Sequence, residues 1–155
     1  MYKLLTNAER VLMEELMRIR KIEIARPLIL AAGALETRNA VADRIQDKGL
    51  NSAGQPMRTQ AARQQGAYSA RHGHDRLRRN LQIGRVDYTF TGRMMENWSV
   101  MVRTNGNVAL GFRDAQEAEK AAELADYHGP AFDPTPAEIE LSTDLIAKKT
   151  AELVR

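Results

Sequence analysis

Apolar residues recur at helical spacing from the start of the chain. Leu12, Leu16 and Ile19 share one face, and Met13, Met17 and Ile24 widen the apolar surface. Thr6 or Asn7 can cap this helix, with Glu9 and Arg10 opening it. Pro27 lacks an N–H and clashes with the preceding turn, so a kink or break is expected there. A second helix then opens on that proline, runs to about Lys48 and stops at Gly49. Ala31, Ala34, Leu35, Ala42 and Ile45 lie along one side of it, and the small residues allow close approach.

Beyond Gly49 the period is lost. Gly49 to Met57 reads as a loop. Arg58 to Arg85 is polar, rich in Arg and Gln and interrupted by Gly66, Gly73 and Gly84. This predicts partial helix at most and a mobile basic loop over 58–85. Alternation returns in the Asp87–Phe112 block, which reads as a strand, a Thr91-Gly92 corner, a short helical step and a β-hairpin over 99–112. A two-residue type I′ turn at Asn105-Gly106 would pair Thr104 with Asn107, Arg103 with Val108, Val102 with Ala109 and Met101 with Leu110. One face then holds Met101, Val108, Leu110 and Phe112, and the other Trp98, Val100, Val102 and Ala109. With both faces apolar, the second needs covering by this chain or a neighbour.

Asp114 caps a helix from Ala115 to about Tyr127, which His128-Gly129-Pro130 ends. A last helix follows, with Thr135 as N-cap, Pro136 in the first turn and Glu138 completing a capping box. It runs to about Val154. Ile139, Ile146, Thr150 and Leu153 share one side, and Leu141 and Leu145 sit roughly opposite. That second pair makes 136–155 a helix that could pack on a neighbour. The elements define an α+β fold: N-terminal helices, a small antiparallel sheet centred on the hairpin, and C-terminal helices.

Composition narrows the classes. At 155 residues the chain suits a single domain, 1–155. With no cysteine, disulfides and Cys-based zinc or nucleophile chemistry are excluded. No run of about 18 apolar residues offers a transmembrane helix, and the first ten residues lack a signal-peptide pattern. The net charge of +3 is uneven. Residues 58–85 hold seven Arg against Asp75, which is +6, leaving −3 on the rest.

The candidate chemistry is thin. His72, His74, Asp75 and His128 could suggest a metal cluster, but the glycine-broken segment favours a solvated basic loop. The carboxylate pairs Glu14/Glu15, Glu117/Glu119 and Glu138/Glu140 fit solvated helix faces, and no nucleophile and base accompany them. No enzyme, metal or cofactor is expected. Trp98, Met94 and Met95 read as core. The Arg run has three readings: a solvated loop, contact with phosphate, or docking to an acidic neighbour that orders it. Arg71, Arg76, Arg78 and Arg79, with Leu141 and Leu145, are the candidate contact residues.

Three pieces in order carry a family resemblance. The helix ending at Lys48 and the Gly49-Leu-Asn-Ser-Ala-Gly-Gln-Pro56 loop form the first. Tyr68-Ser69 with its basic segment is the second. The Phe90-Thr-Gly-Arg-Met94 corner, Trp98, Val108–Phe112 and Tyr127-His-Gly-Pro-Ala-Phe132 form the third. Over roughly 30–155 the chain resembles the virion-morphogenesis, or tail-completion, family of tailed bacteriophages. The resemblance implies a non-catalytic α+β subunit of a ring at the head–tail joint, assembled in the host cytoplasm and located in the virion. Implied partners are copies of itself, portal, neck or tail proteins, and packaged DNA in non-specific contact, with no membrane. The alternative is a small nucleic-acid-binding protein using Arg58–Arg85.

Overall fold

The computed structural model describes residues 7–154, and the fold is α+β. The Thr6 capping alternative and the residues before it lie outside that range. Asn7 opens α1, Asn7–Asp43, and its Oδ1 accepts from Arg10 Nη2 at 2.9 Å. This helix of 37 residues is about 55 Å long at 1.5 Å per residue.

The break expected at Pro27 is absent, and α1 runs through it. Proline removes one donor from the ladder, and the turns on either side keep theirs. The tip of the later hairpin lies against this point. A Cβ placed on Gly106 would sit 3.5 Å from the Pro27 ring. The helix widens into a π-helical turn, Arg44–Lys48, and stops at Gly49 in the left-handed region (φ 65°), as the sequence reading has it.

The last helix, α5 (Pro136–Val154), runs back along α1. Glu138 lies beside Thr37, Ile146 beside Gly33, and Leu153 beside Met17. Gly33 is a contact glycine, since a Cβ there would lie 2.7 Å from Ile146. The small residues of α1 thus do allow close approach, although Leu35 is half exposed instead of packed.

Between these helices the chain forms two small antiparallel sheets. The first pairs β1 (Gln64–Gln65) with β2 (Tyr68–Ser69) and leads into α2 (Ala70–Arg78). Ser69 caps α2, accepting from His72 N. The loop expected over 58–85 is corrected in one respect: the segment holds a hairpin as well as the partial helix that the sequence allows. Gly66 makes the turn (φ 65°), and Ala67 N donates to Ile83 O at 2.8 Å, closing the segment on itself. Ala67 and Tyr68 enter the core and anchor what composition alone marks as polar.

The second sheet follows α3 (Arg93–Asn97) and pairs β3 (Trp98–Val102) with β4 (Val108–Phe112). Its register differs by one residue from the expected one: Val102 pairs with Val108, Val100 with Leu110 and Trp98 with Phe112. The loop has three residues. Arg103 N donates to Asn107 O, Gly106 has φ 77°, and Asn105 keeps a negative φ. That is the three-residue hairpin connection with glycine in the left-handed position, not type I′. A one-residue shift regroups the faces. Trp98, Val100, Val102, Val108, Leu110 and Phe112 share one face, and Ser99, Met101, Ala109 and Gly111 the other. The hairpin is strongly apolar on one side only, which removes the two-faced assembly surface expected from it.

The helix α4, Ala115–His128, opens as expected on Asp114, whose side chain accepts from Gln116 N. The core gathers Val41, Ile45, Met57, Val86, Met95 and Trp98. Phe132 closes it, with ring centroids 5.3 Å from Trp98 and 4.9 Å from Phe112. Trp98, Met94 and Met95 are buried, as read.

Candidate interaction surfaces

The structure separates the predicted contact residues. Arg71, Arg78 and Arg79 are exposed on or just after α2. Arg76 is not, with 1% of its surface exposed. Its Nη2 donates to both Asp87 carboxylate oxygens at 2.9 Å, its Nε donates to Gln82 O at 2.8 Å, and its guanidinium lies 4.5 Å over the Tyr68 ring. Gln82 Nε2 also donates to Asp87. Burial pushes the Asp87 carboxyl up, but hydrogen bonds from Gln82 and Thr89 and the Arg76 charge outweigh it and hold the pKa below the usual carboxylate value. Arg76 is thus a fold residue, which corrects its place among the contact candidates. Arg85 is likewise engaged, donating from Nε to Gln46 O at 2.6 Å.

A second buried pair joins the ends of α1 and α5. Arg44 Nε donates to Glu138 Oε1 at 2.7 Å, and its guanidinium also reaches the carbonyls of Leu50, Ala131 and Asp133. Glu138 completes the predicted capping box by accepting from Thr135 N at 2.7 Å, while Thr135 Oγ1 accepts from Glu138 N. Burial raises the Glu138 pKa, and the Arg44 hydrogen bond and charge, with Thr135, turn the net shift downward. The Gly49–Pro56 loop is latched at the same place. Asn51 Nδ2 donates to His128 O at 2.9 Å and Ser52 N to Pro130 O at 2.8 Å.

Leu141 is half exposed, and Leu145 is partly covered. Ile139, expected on the packed side, is as exposed as Leu141. The largest uncovered apolar surface lies on α1 before the core begins. Val11, Leu12, Leu16 and Ile19 extend the same face that Gly33, Thr37 and Val41 bury further along, yet each is more than half exposed. Met13, Met17, Ile24 and Leu28 form a second exposed stripe. This stretch is an apolar arm.

A cleft of about 610 Å³ was not legible in the sequence. Tyr68, His72, Tyr88, Phe90, Tyr127 and His128 line it. The His72 ring lies 5.1 Å from Tyr68 and 4.8 Å from Phe90. Arg79 stacks 4.5 Å over the Phe90 ring. Glu117, buried on the wall, accepts from Lys120 Nζ at 2.9 Å. Burial lowers both His72 and His128, aided at His72 by the Arg76 charge and opposed at His128 by the Arg58 backbone. Burial raises the Tyr88 hydroxyl to about 12. The six residues are scattered over sixty positions. The one clue was the crowding of scarce aromatics around the basic segment.

Among the described residues, no group of three or more His, Asp or Glu side chains is placed to hold a metal ion. None of the described helices is long and apolar enough to cross a membrane. No family model, no curated protein and no solved structure matches this chain.

Proposed function

We propose that this chain is a structural assembly protein of a tailed phage, completing the tail or joining it to the head as one subunit of a ring. The observation that carries this reading is the apolar arm of α1. Eight large apolar side chains there are each more than half exposed. At roughly 25 cal/mol per Å² of apolar surface removed from water, leaving them open forgoes several kcal/mol that a neighbour would supply. The resemblance of residues 30–155 to the tail-completion family supplies the particular context, including virion location and neck, portal or tail partners.

In this reading the work is geometric, with no catalytic step and no cofactor. A head-to-tail contact between the arm and a different surface of the next copy closes into a ring. The exposed Arg71, Arg78 and Arg79 then meet an acidic neighbour or passing DNA phosphates, and Leu141 with Leu145 offers a smaller secondary contact. The test is twofold: light scattering on the purified chain across micromolar concentrations, and its location in intact particles. Concentration-dependent oligomers and density at the neck or tail are expected. A chain that stays monomeric and is missing from virions overturns the proposal.

A second reading, a nucleic-acid-binding protein using Arg58–Arg85, is favoured by the outward Arg71, Arg78 and Arg79. It requires binding by the isolated chain that falls steeply with salt. Weak, salt-insensitive mobility shifts exclude it.

A further inference from the structure

The aromatic side chains are unevenly spent. Only 5% of the chain is Phe, Trp or Tyr, yet three of its four tyrosines and two of its three histidines line one cleft. Their hydroxyls are tied to protein. Tyr68 donates to Asp87 at 3.1 Å, Tyr88 to Met57 Sδ at 3.3 Å, and the Tyr127 oxygen accepts from Gln60 N at 2.8 Å. Those bonds fix the rings in place before any ligand arrives, so little ordering cost remains. The volume, about 610 Å³, lies within the range of small-molecule sites.

Charge decides what kind of ring enters. Arg76 on the wall is neutralised by Asp87, and Glu117 by Lys120. Two further cations flank the lining, exposed Arg79 over Phe90 and Arg93, whose Nε is 3.9 Å from Glu117 and whose side chain is 65% exposed, against the Asp75 carboxylate near His72. A cationic ligand is disfavoured by those two arginines. A purely aliphatic one uses neither the rings nor the arginines.

We propose that this cleft binds a nucleobase, stacked on the aromatic wall, with its phosphate held by Arg79 and Arg93. The base could belong to a free nucleotide or to an unpaired strand, because both present the same planar face and anionic tail. The site does not depend on ring assembly, and either proposal can fail alone.

The test is an NMR titration of the full chain, following the imidazole resonances of His72 and His128. Three probes are compared: adenosine monophosphate, a short single-stranded oligothymidine and inorganic phosphate. Saturable shifts with the nucleotide identify a free ligand, and shifts with the oligonucleotide alone identify a strand. Either supports the site. Phe90→Leu should weaken that binding about tenfold or more, while Phe90→Tyr retains it. A melt checks that each variant is folded, and if Phe90→Leu is not, the three-probe titration of the unaltered chain still decides. No shift with millimolar nucleotide and excess oligonucleotide overturns the proposal. So do equal shifts from phosphate alone, or binding that a folded Phe90→Leu chain keeps in full.

Discussion

The first 22 residues of α1 and the arginine segment have exchanged the places that their compositions suggest. The arm carries eight large apolar side chains that are each more than half exposed. The segment from Arg58 to Arg85 carries the most one-sided charge, seven Arg against Asp75, and folds a hairpin, a helix and a nearly inaccessible arginine into the protein. The difference lies in partners. Burial needs something to be buried against, and past the end of the core the apolar stripe meets little among the described residues beyond the end of α5 beside Met17. A charge can be buried where another charge and enough carbonyls surround it, as Asp87 and Gln82 O surround Arg76.

The sharpest break in that comparison is Arg76→Ala. Removing one member of a buried ion pair leaves the other unpaired and costs about 3–5 kcal/mol. Against a typical total of about 5–15 kcal/mol, this places the variant near unfolding. Arg78→Ala, two residues on and exposed, should change stability by no more than about 0.5 kcal/mol. Urea denaturation of both separates a folded arginine segment from an appended one. Similar midpoints for the two would show that Arg76 does not hold the segment in the core.

Much of the secondary structure was legible because it rests on local chemistry. Asp114, Thr135, Glu138 and Gly49 mark helix ends through bonds made within a few residues. What escaped depended on distant groups. Pro27 is passed over in a helix against which the hairpin tip rests. The hairpin register turned on whether Asn105 takes a positive φ, which the Asn-Gly pair permits but does not require. The Arg76–Asp87 contact spans eleven residues of a segment with no period, and Arg44–Glu138 spans 94. Of the candidate contact surfaces, exposed Arg71, Arg78, Arg79 and Leu141 were named from sequence. The cleft was not, because its walls come from separate parts of the chain.

Acid should loosen the two buried pairs and the cleft in separate stages. His72 and His128 are depressed below their ordinary value near 6.5, so the folded chain takes up those protons less readily than the unfolded one. Stability is full above that value and declines as pH falls from it toward the folded pKa values. Asp87 and Glu138 are depressed carboxyls, so their contribution is present above the ordinary carboxylate range near pH 4 and is lost as pH falls through the folded values. Denaturation midpoints at pH 8, 5.5, 4 and 3 should therefore fall in two steps. His72→Phe should shrink the upper step and leave the lower one. A midpoint constant from pH 8 to 5 would mean that neither imidazole is buried neutral.

The smallest effect on folding is expected on the exposed apolar arm of α1. Leu12→Glu, Leu16→Glu and Ile19→Glu each replace a side chain already more than half exposed. At concentrations where the chain is monomeric, each should move the unfolding free energy by no more than about 0.5 kcal/mol. Leu16→Ala in a packed helix would instead cost about 2–5 kcal/mol. The same glutamates, placed in a contact between copies, bury a charge without a partner and should abolish association. The decisive reading is the split between unfolding and light scattering. Unchanged unfolding with lost oligomers makes the arm an assembly device that the fold does not need. Equal losses in both would mean that α1 is packed along its whole length, and the contrast with the arginine segment would disappear.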